Sequence, residues 1–334
     1  MTGAPRVARW AELAGLGVER LTDPAETLTR PDDGLALVAD GRVIASAGLW
    51  WRQPLAGTPH PTGRVGHAAW DDADAGAALL AAAVDRLRAE GARHAVGPMD
   101  GSTWFGYRVV TEPSPGGAEA PRFALEPWPR PVIELAFTQA GFAPVAHYLS
   151  SRVASLPDHA GRLADDLARL RPSGVTLRPF RTADAPAELG ALHGLLLRAF
   201  AGHPFYAPLD LGRFRALYGP LVARIDPRLV LVAEADGRAD GGRRPVGVVL
   251  AVPDSAQAER GEPVDTVVVK TLAVDPAWRG RGLGGALVRA AQEAARRAGF
   301  TSAVHALMHA ENPSTRMGGE AVPIRRYALL GRDL

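Results

Sequence analysis

The stretch TVVVKTLAVDPAWRGRGLGGALVRAAQEAARRAGF, residues Thr266–Phe300, combines a strand, a turn and a helix. Its first part, Thr266–Val274, is rich in β-branched side chains, which favour a largely buried strand. Asp275-Pro276 ends the strand, because proline cannot donate a ladder hydrogen bond. After the turn Arg279–Gly284 the apolar residues recur at helical spacing, and Gly299 is placed to end that helix.

The turn has the composition of a phosphate-binding site. The first N–H groups of a helix have no intrahelical partner and carry partial positive charge. Glycine lets an anion approach the backbone and permits positive φ, and Arg279 and Arg281 add formal charge. The sequence therefore predicts that this turn cradles a phosphate or a pyrophosphate.

Two other interpretations of the glycines are open. Gly280, Gly282 and Gly285 satisfy G-x-G-x-x-G, the fingerprint of dinucleotide-binding folds. In those folds the turn follows the strand directly, whereas Asp275–Trp278 intervene here. A glycine-rich connection with exposed arginines and no ligand is the other alternative. The strand, the proline, both arginines and the helix nevertheless fit one template together.

That template is a resemblance: Leu272-x-Val274-x-Pro276-x-x-Arg279-Gly280-x-Gly282-x-Gly284 is similar to motif A of the GCN5-related N-acetyltransferase (GNAT) superfamily. The resemblance implies that the loop binds the pyrophosphate of acetyl-CoA, and that the strand diverges from its neighbour to hold the pantetheine arm. It implies no metal. The implied cofactor-binding residues are Leu272, Ala273, Val274, Arg279, Gly280, Arg281, Gly282, Leu283, Gly284 and, after the next strand, Asn312.

The order of elements around this motif supports the same fold. Across residues 175–310 the pattern reads strand, two helices, two antiparallel strands, strand, turn, helix and strand. This order matches the GNAT core. We therefore expect an α/β (α+β) fold with a mixed, mostly antiparallel GNAT sheet that is flanked by helices.

The chain length predicts two domains, since 334 residues fit two units of ~150 residues. A polar segment, residues 157–174, is the expected linker helix between a first domain, 1–156, and a second domain, 175–334. The first domain carries its own strand and helix in the place of motif A. This arrangement predicts a tandem duplication, as in bacterial GNAT proteins of tandem architecture.

The first half is expected to be a degenerate GNAT-like domain that helps to shape the acceptor site. Its turn holds Asp71, Asp72 and Asp74 in place of glycines, and three carboxylates would repel a pyrophosphate. The segment Gly97–Arg108 is rich in groups that can bind ligands. A turn with anchoring aromatic side chains is the alternative interpretation of that segment.

Acyl transfer to an amine needs a group that accepts a proton and a group that protonates the leaving thiolate. Asp265 is the first candidate base, with Glu311 and His305 as others. The tyrosine that the family often uses as the acid has no counterpart here, because Gly318-Gly319 stand near its place. Ser314 is a candidate donor to the thiolate, and helix capping is its alternative role.

The acceptor site of the family usually involves the first two helices, which points to His203, Phe205 and Tyr206. A structural aromatic corner is the competing interpretation. We expect an acyl-CoA-dependent N-acyltransferase that moves an acetyl group from acetyl-CoA to a primary amine by direct attack. The alternative is a non-catalytic acyl-CoA-binding sensor or interaction module, which the missing tyrosine favours.

Composition excludes several other classes. The chain has no cysteine, so it offers neither disulfides nor thiolate metal ligands. Its net charge is only +2, and the basic residues are arginines apart from Lys270, with no basic and aromatic cluster of a nucleic-acid footprint. No apolar run reaches the ~18 residues of a membrane helix, and the first ten residues lack a signal-peptide core. A cytoplasmic protein without a membrane partner is expected, in an oligomeric state that the sequence does not indicate.

Overall fold

The first half of the chain is built from short strands around one long helix. The computed structural model describes residues 4–16, 28–113, 120–236, 242–316 and 321–334. The elements of the first half are β1 (Arg6–Arg9), α1 (Trp10–Leu13), β2 (Asp33–Ala39), β3 (Arg42–Trp50), β4 (Thr62–Trp70), α2 (Ala73–Ala89), β5 (His94–Gly97), β6 (Val109–Glu112), α3 (Pro131–Gln139) and β7 (Ala143–Val153).

The second half repeats the central part of this order. Its elements are α4 (Ala160–Leu170), β8 (Thr176–Pro179), α5 (Ala185–Phe200), α6 (Leu211–Val222), β9 (Val230–Asp236), β10 (Arg243–Pro253), α7 (Ser255–Glu259), β11 (Thr266–Val274), α8 (Leu283–Arg297), β12 (Ser302–His309) and β13 (Val322–Asp333). The run β9-β10-β11-α8-β12 corresponds to β2-β3-β4-α2-β5. The predicted duplication is therefore confirmed.

All the described strands join one sheet in the order β1-β2-β3-β4-β5-β13-β7-β12-β11-β10-β9-β8, with β6 paired to β13. Only β4–β5 and β11–β12 run parallel among the described strands, and the other pairs are antiparallel. Helices pack on this sheet, with α2 over the first half and α8 over the second. The predicted mixed, mostly antiparallel sheet with flanking helices is confirmed.

The two halves exchange their last strands. β7 of the first half lies between β12 and β13, with Tyr148 opposite Tyr327 and Val153 opposite Ala303. β13 in turn lies between β7 and β5 of the first half. The sequence did not predict this exchange, because strand order depends on pairing between distant segments. Each half thus completes its sheet with a strand from the other.

The segment predicted as a linker is a packed helix. α4 lies against α8, where Arg289 donates from its Nε to Asp166 at 2.6 Å. His159, just before α4, contacts Gln292 of α8 through its Nε2 at 2.7 Å. Gly174 then ends the segment with a φ of +73°, a conformation that glycine adopts at little cost.

Each half contains a parallel strand pair, and in the first half the gap beyond that pair is filled. The Met99 N–H donates to the Val65 carbonyl at 2.8 Å, and the His67 N–H donates to Asp100 Oδ1 at 2.6 Å. The N-terminus of α2 is capped by its own chain, since Asp72 Oδ1 accepts from the Ala75 N–H at 2.8 Å. These contacts occupy the positions at which a cofactor would enter.

The strand exchange predicts that the second half does not fold alone. A fragment of residues 175–334 lacks β7, so β12 and β13 lose the strand that joins them. We expect no cooperative thermal transition for this fragment by circular dichroism, and one transition for the full chain. A fragment of residues 143–334, which restores β7, is the matched comparison and should regain cooperativity. Cooperative unfolding of 175–334 would contradict the prediction.

A buried ion pair ties β13 to the first half. Arg325 Nε donates to Glu126 Oε1 at 2.8 Å, and the two side chains are 1% and 0% exposed. Replacing Glu126 by Ala leaves the Arg325 charge buried and unpaired, so we expect a loss of about 3–5 kcal/mol of unfolding free energy.

The measurement is denaturant unfolding, and the chain offers a matched control on the same strand. Arg326 pairs with Glu112 at 2.9 Å, with side chains that are 54% and 48% exposed. Glu112→Ala should change stability by about 0–1 kcal/mol, because solvent already screens this pair. Equal losses for the two variants would show that burial does not set the strength of the Glu126 pair.

Candidate active site

The glycine turn lies at the open N-terminus of α8. Gly280 and Gly282 have φ values of +75° and +82°, and a Cβ at either position would meet no atom within 4 Å. The helix begins at Leu283, two residues before the predicted start. Leu283 itself is 1% exposed and packs in the core, so its contribution to the turn is its backbone N–H.

A buried carboxylate fixes the turn to the rest of the domain. Asp275 Oδ2 accepts from Arg198 Nε and from an Arg244 nitrogen, both at 2.9 Å, and Oδ1 accepts from the Ala277 N–H at 3.1 Å. Burial raises the pKa of Asp275, but the hydrogen bonds from both arginines outweigh it and hold the pKa below its usual value. The carboxylate therefore stays charged and anchors the end of β11.

The two arginines of the turn have protein partners. Arg279 donates to the Ala199 carbonyl at 2.6 Å, which ties the turn to the end of α5. The Arg281 guanidinium lies 4.9 Å from the centroid of the Trp278 ring. Both residues keep positive charge beside the helix terminus, and the backbone of the turn remains open.

β11 and β12 pair over four residues and then diverge. The last pair is Val269 with His305, and within the described residues the two strands make no further pairs. Opposite the Leu250–Ala251 step of β10, Lys270 is an extra residue in β11, which is a β-bulge. Bulges redirect a side chain, and this one places Lys270 at the point where the strands separate. Leu272 follows on the same strand and lines the gap.

The gap opens into a cavity of about 750 Å³ between the two halves. Its lining includes Trp104, Tyr107 and Arg108 from the first half and Tyr206, Lys270 and Asn312 from the second. The segment that the sequence showed as rich in ligand-binding groups thus forms one wall. Trp104 also anchors that wall, since its Nε1 donates to the Ala207 carbonyl at 2.9 Å.

The structure argues against two of the predicted catalytic residues. Asp265 precedes β11 and is seven residues from Leu272, a distance of roughly 23 Å at the usual rise of a strand. Its carboxylate accepts from Gln257 Nε2 at 2.8 Å, outside the cavity. Glu311 is exposed in the turn after β12 and does not line the cavity. Asp265 was a candidate because it adjoins the motif strand, but it lies before the first residue of β11, whereas the cavity lies toward the last residues of that strand.

Other predicted residues do lie at the cavity. Ser314 and Asn312 line it, and Asn312 Oδ1 accepts from the Ser314 N–H at 3.1 Å, so the capping side chain is that of Asn312. Residues 318 and 319, where the family tyrosine would stand, are outside the described residues. His305 also lines the cavity, and its Nε2 accepts a hydrogen bond from Gln292 Nε2 at 2.9 Å. Burial lowers the pKa of His305 to about 4, which makes it a weak base.

The structure separates the three predicted acceptor residues. His203 and Tyr206 line the cavity, whereas the Phe205 side chain packs in an apolar cluster with Met99 and Tyr327. Burial, with Arg279 and His309 nearby, lowers the pKa of His203. Burial raises the pKa of Tyr206 to about 12, and the buried hydroxyl has no hydrogen-bond partner among the described residues. Tyr206 therefore presents a protonated hydroxyl to a ligand.

Lys270 lines the cavity and was not among the candidate catalytic residues, because a lysine in a strand usually lies at a solvated edge. Its Nζ donates to the Leu125 carbonyl at 3.1 Å. Burial, assisted by the charge of Arg108 and opposed by that of Glu126, lowers the pKa of Lys270 to about 7. A signal was present in the sequence, since this is the only lysine of the chain and it stands two residues before the motif A pattern.

Among the described residues no group of three or more His, Cys, Asp or Glu side chains is placed to hold a metal ion. No helix in the described ranges is long and apolar enough to cross a membrane.

Comparison with known proteins gives a consistent result. A family model described as "Acetyltransferase (GNAT) family" matches residues 196–317. A mycothiol acetyltransferase from Nocardioides sp. is 29% identical over 252 residues, which cover 65% of this chain and 84% of that protein. A bacterial ceramide synthase from Caulobacter vibrioides is 32% identical over 214 residues, which cover 60% of this chain and 51% of that protein. The chain thus spans about half of the second relative.

A solved structure shares the fold over the whole length of the chain. This protein, from Enterococcus faecalis V583 and described as a probable N-acyltransferase, is 11% identical with a TM-score of 0.54. The alignment covers 100% of this chain and 73% of that one. With the open glycine turn, the diverging strands and the family match, residues 196–317 of the chain form a domain of the GNAT family of acetyltransferases.

Proposed function

We propose that the chain transfers the acetyl group of acetyl-CoA to a primary amine by direct attack. The observation that carries this proposal is the gap between β11 and β12, which opens into the cavity, on the same strand that leads to the open turn at Gly280–Gly282. The turn suits a pyrophosphate, the gap suits a thin pantetheine arm, and the cavity suits an acceptor.

In the proposed reaction the amine nitrogen forms a bond to the thioester carbon, the carbon–sulfur bond breaks, and the products are an amide and CoA. Fixed placement of the two reactants accounts for the largest share of such a rate enhancement, up to about 7–11 kcal/mol. The walls of the cavity come from both halves. We therefore propose that the first half acts by shaping the acceptor site.

Lys270 is the proposed acceptor of the amine proton. A general base works best when its pKa lies near the working pH, and burial brings the pKa of Lys270 to about 7. Near neutral pH a substantial fraction of Lys270 is uncharged and can take the proton that the amine loses. Tyr206 and Ser314 carry hydroxyls at the cavity that can protonate the leaving thiolate.

The second candidate function is a non-catalytic acyl-CoA sensor. The observation in its favour is the missing family tyrosine after β12. It predicts acetyl-CoA binding with no release of CoA in the presence of any amine. Release of CoA that depends on an added amine would exclude it.

Cofactor binding can be tested at the glycine turn. Gly282→Val places a β-branched residue at a φ of +82° and a side chain over the open turn. Hydrogen bonds to a charged group are each worth about 1.5–3 kcal/mol, so losing the cradle should weaken acetyl-CoA binding by at least about 100-fold. Calorimetry with acetyl-CoA is the measurement, and we expect one site per chain in the parent protein.

Gly299→Val is the matched control for this substitution. Gly299 has a φ of +95°, lies at the other end of α8 and also has open space at its Cβ. The two variants strain the backbone alike, but only Gly282→Val should lose the ligand. Unchanged affinity in Gly282→Val, or equal losses in both variants, would refute the proposed cofactor site.

The ionisation of Lys270 can be measured directly. Because the chain has one lysine, protein labelled with ¹³C-lysine should give a single Cε resonance, and we expect it to titrate near pH 7. The unfolded chain then binds more protons between pH 7 and 10.5, so this group makes stability rise with pH in that window. A midpoint near 10.5 would contradict the assignment.

The same group should control the rate. Lys270→Met should lower kcat by about 10²–10⁴-fold and remove the rise of kcat/KM near pH 7. Acceptor amines of different basicity provide the control. If the rise of kcat/KM with pH reflects deprotonation of the acceptor, its midpoint shifts with the acceptor's pKa. A rise that stays in Lys270→Met would exclude Lys270 as the base.

A further inference from the structure

Arg108 is a buried cation held between two aromatic rings. Its guanidinium carbon lies 3.7 Å from the centroid of the Tyr107 ring and 4.0 Å from that of Tyr148. The residue is 4% exposed and has a φ of +77°, which is uncommon for a residue with a Cβ. The two rings lie edge to face, with centroids 5.6 Å apart and planes at 85°, so they shield the guanidinium from two directions.

Several N–H donors of the Arg108 guanidinium have no hydrogen-bond partner among the described residues. Nη1 donates to the Leu307 carbonyl at 3.2 Å, which is the one side-chain hydrogen bond of Arg108 among the described residues. Its Nε is buried without a partner. Within the described part of the chain no carboxylate pairs with Arg108, in contrast to Arg325, which pairs with Glu126. Arg108 lines the cavity, and its Nη2, which is neither hydrogen-bonded nor buried among the described residues, is the donor that a molecule bound there can reach.

The charge of the cavity favours an anion. Burial lowers the pKa of Arg108 to about 10, so the group remains a cation near neutral pH. Arg224 also lines the cavity. The acidic residue of the lining is Glu126, whose carboxylate is already engaged by Arg325. A cavity with an unpaired cation and a neutralised acid attracts negative charge.

We propose that Arg108 binds a carboxylate of the acceptor, and that the acceptor is therefore an amine that also carries a carboxylate group. This inference rests on the proposed acetyl transfer. A guanidinium edge matches a carboxylate in geometry. The single fork suits one carboxylate better than a phosphate dianion, which would call for further donors. Arg108 and Lys270 line the same cavity, so the two ends of such an acceptor can bind in one site.

A purely structural role for Arg108 is the competing explanation. In that case the side chain fixes the end of β12 through Leu307 and binds no ligand. The unpartnered Nε does not decide between the two explanations, because Arg64 and Arg178 share it. A purely structural role predicts that a substitution of Arg108 affects charged and neutral acceptors equally.

The test compares ligands that differ only in the carboxylate. N-acetyl-L-phenylalanine and N-acetyl-L-phenylalaninamide, as product analogues without an amine, are titrated into the CoA-bound full chain by calorimetry. One hydrogen-bonded ion pair should make the carboxylate bind at least about tenfold tighter. CoA release is then measured with L-phenylalanine and L-phenylalaninamide as acceptors. Differences in amine basicity cancel when each variant is compared with the parent protein.

Arg108→Gln should abolish the preference for the carboxylate in both measurements. Arg64→Gln is the matched control, because Arg64 is also a buried arginine with an unpartnered Nε but does not line the cavity. Its preference should match that of the parent. If Arg108→Gln does not fold, Arg108→Lys keeps the charge and removes the fork, and should reduce the preference at least threefold.

The outcomes separate this inference from the function on which it rests. Absence of a carboxylate preference in the parent protein overturns the inference, as does a preference that persists in the Arg108 variants. Acetyl-CoA binding together with transfer to neutral amines would in that case leave the proposed function standing. Absence of acetyl-CoA binding would overturn both.

Discussion

The active site depends on the separation of β11 and β12 after four paired residues. Backbone hydrogen bonds hold neighbouring strands about 4.8 Å apart, so no ligand can pass while the ladder continues. Pairing ends at Val269 and His305, and the bulge at Lys270 lies at the point of separation. β12 can leave β11 because it continues to pair with β7 on its other edge, where His309 lies opposite Tyr148.

The same strand–helix–strand unit occurs in both halves, but only the second half keeps an open gap between its parallel strands. The first half has the same parallel pair and the same following helix, but Met99 and Asp100 fill the gap and Asp72 caps the helix. The second half has glycines at the helix start and an open gap. The difference follows from a few polar side chains and glycines at the turn, while the sheet is shared. Exchange of β7 and β13 then makes the first half a wall of the second half's cavity.

Buried charges divide into paired and unpaired groups along the same cavity. Glu126 and Arg325 satisfy one another and join the two halves, so they serve the fold. Arg108 and Lys270 have no carboxylate partner at hydrogen-bond distance among the described residues, and burial lowers the pKa of each. A fold tolerates such groups at a cost in stability, and they are concentrated where ligands bind. The lack of a carboxylate partner distinguishes Arg108 and Lys270 at the cavity from the paired charges of Glu126 and Arg325.

The sequence by itself determined the motif strand, the glycine turn, α8 and the duplicated order of elements, because strand composition, helix caps and glycine or proline signals act over a few residues. It named Asp265 as a candidate base, which the structure places outside the cavity, and it did not name Lys270 as a candidate. Tertiary structure decided the exchange of β7 and β13, the cavity between the halves, and the partial burial of Lys270 in the cavity that Arg108 also lines. The charge state of a buried side chain depends on what covers it, and here the covering segments are distant in sequence.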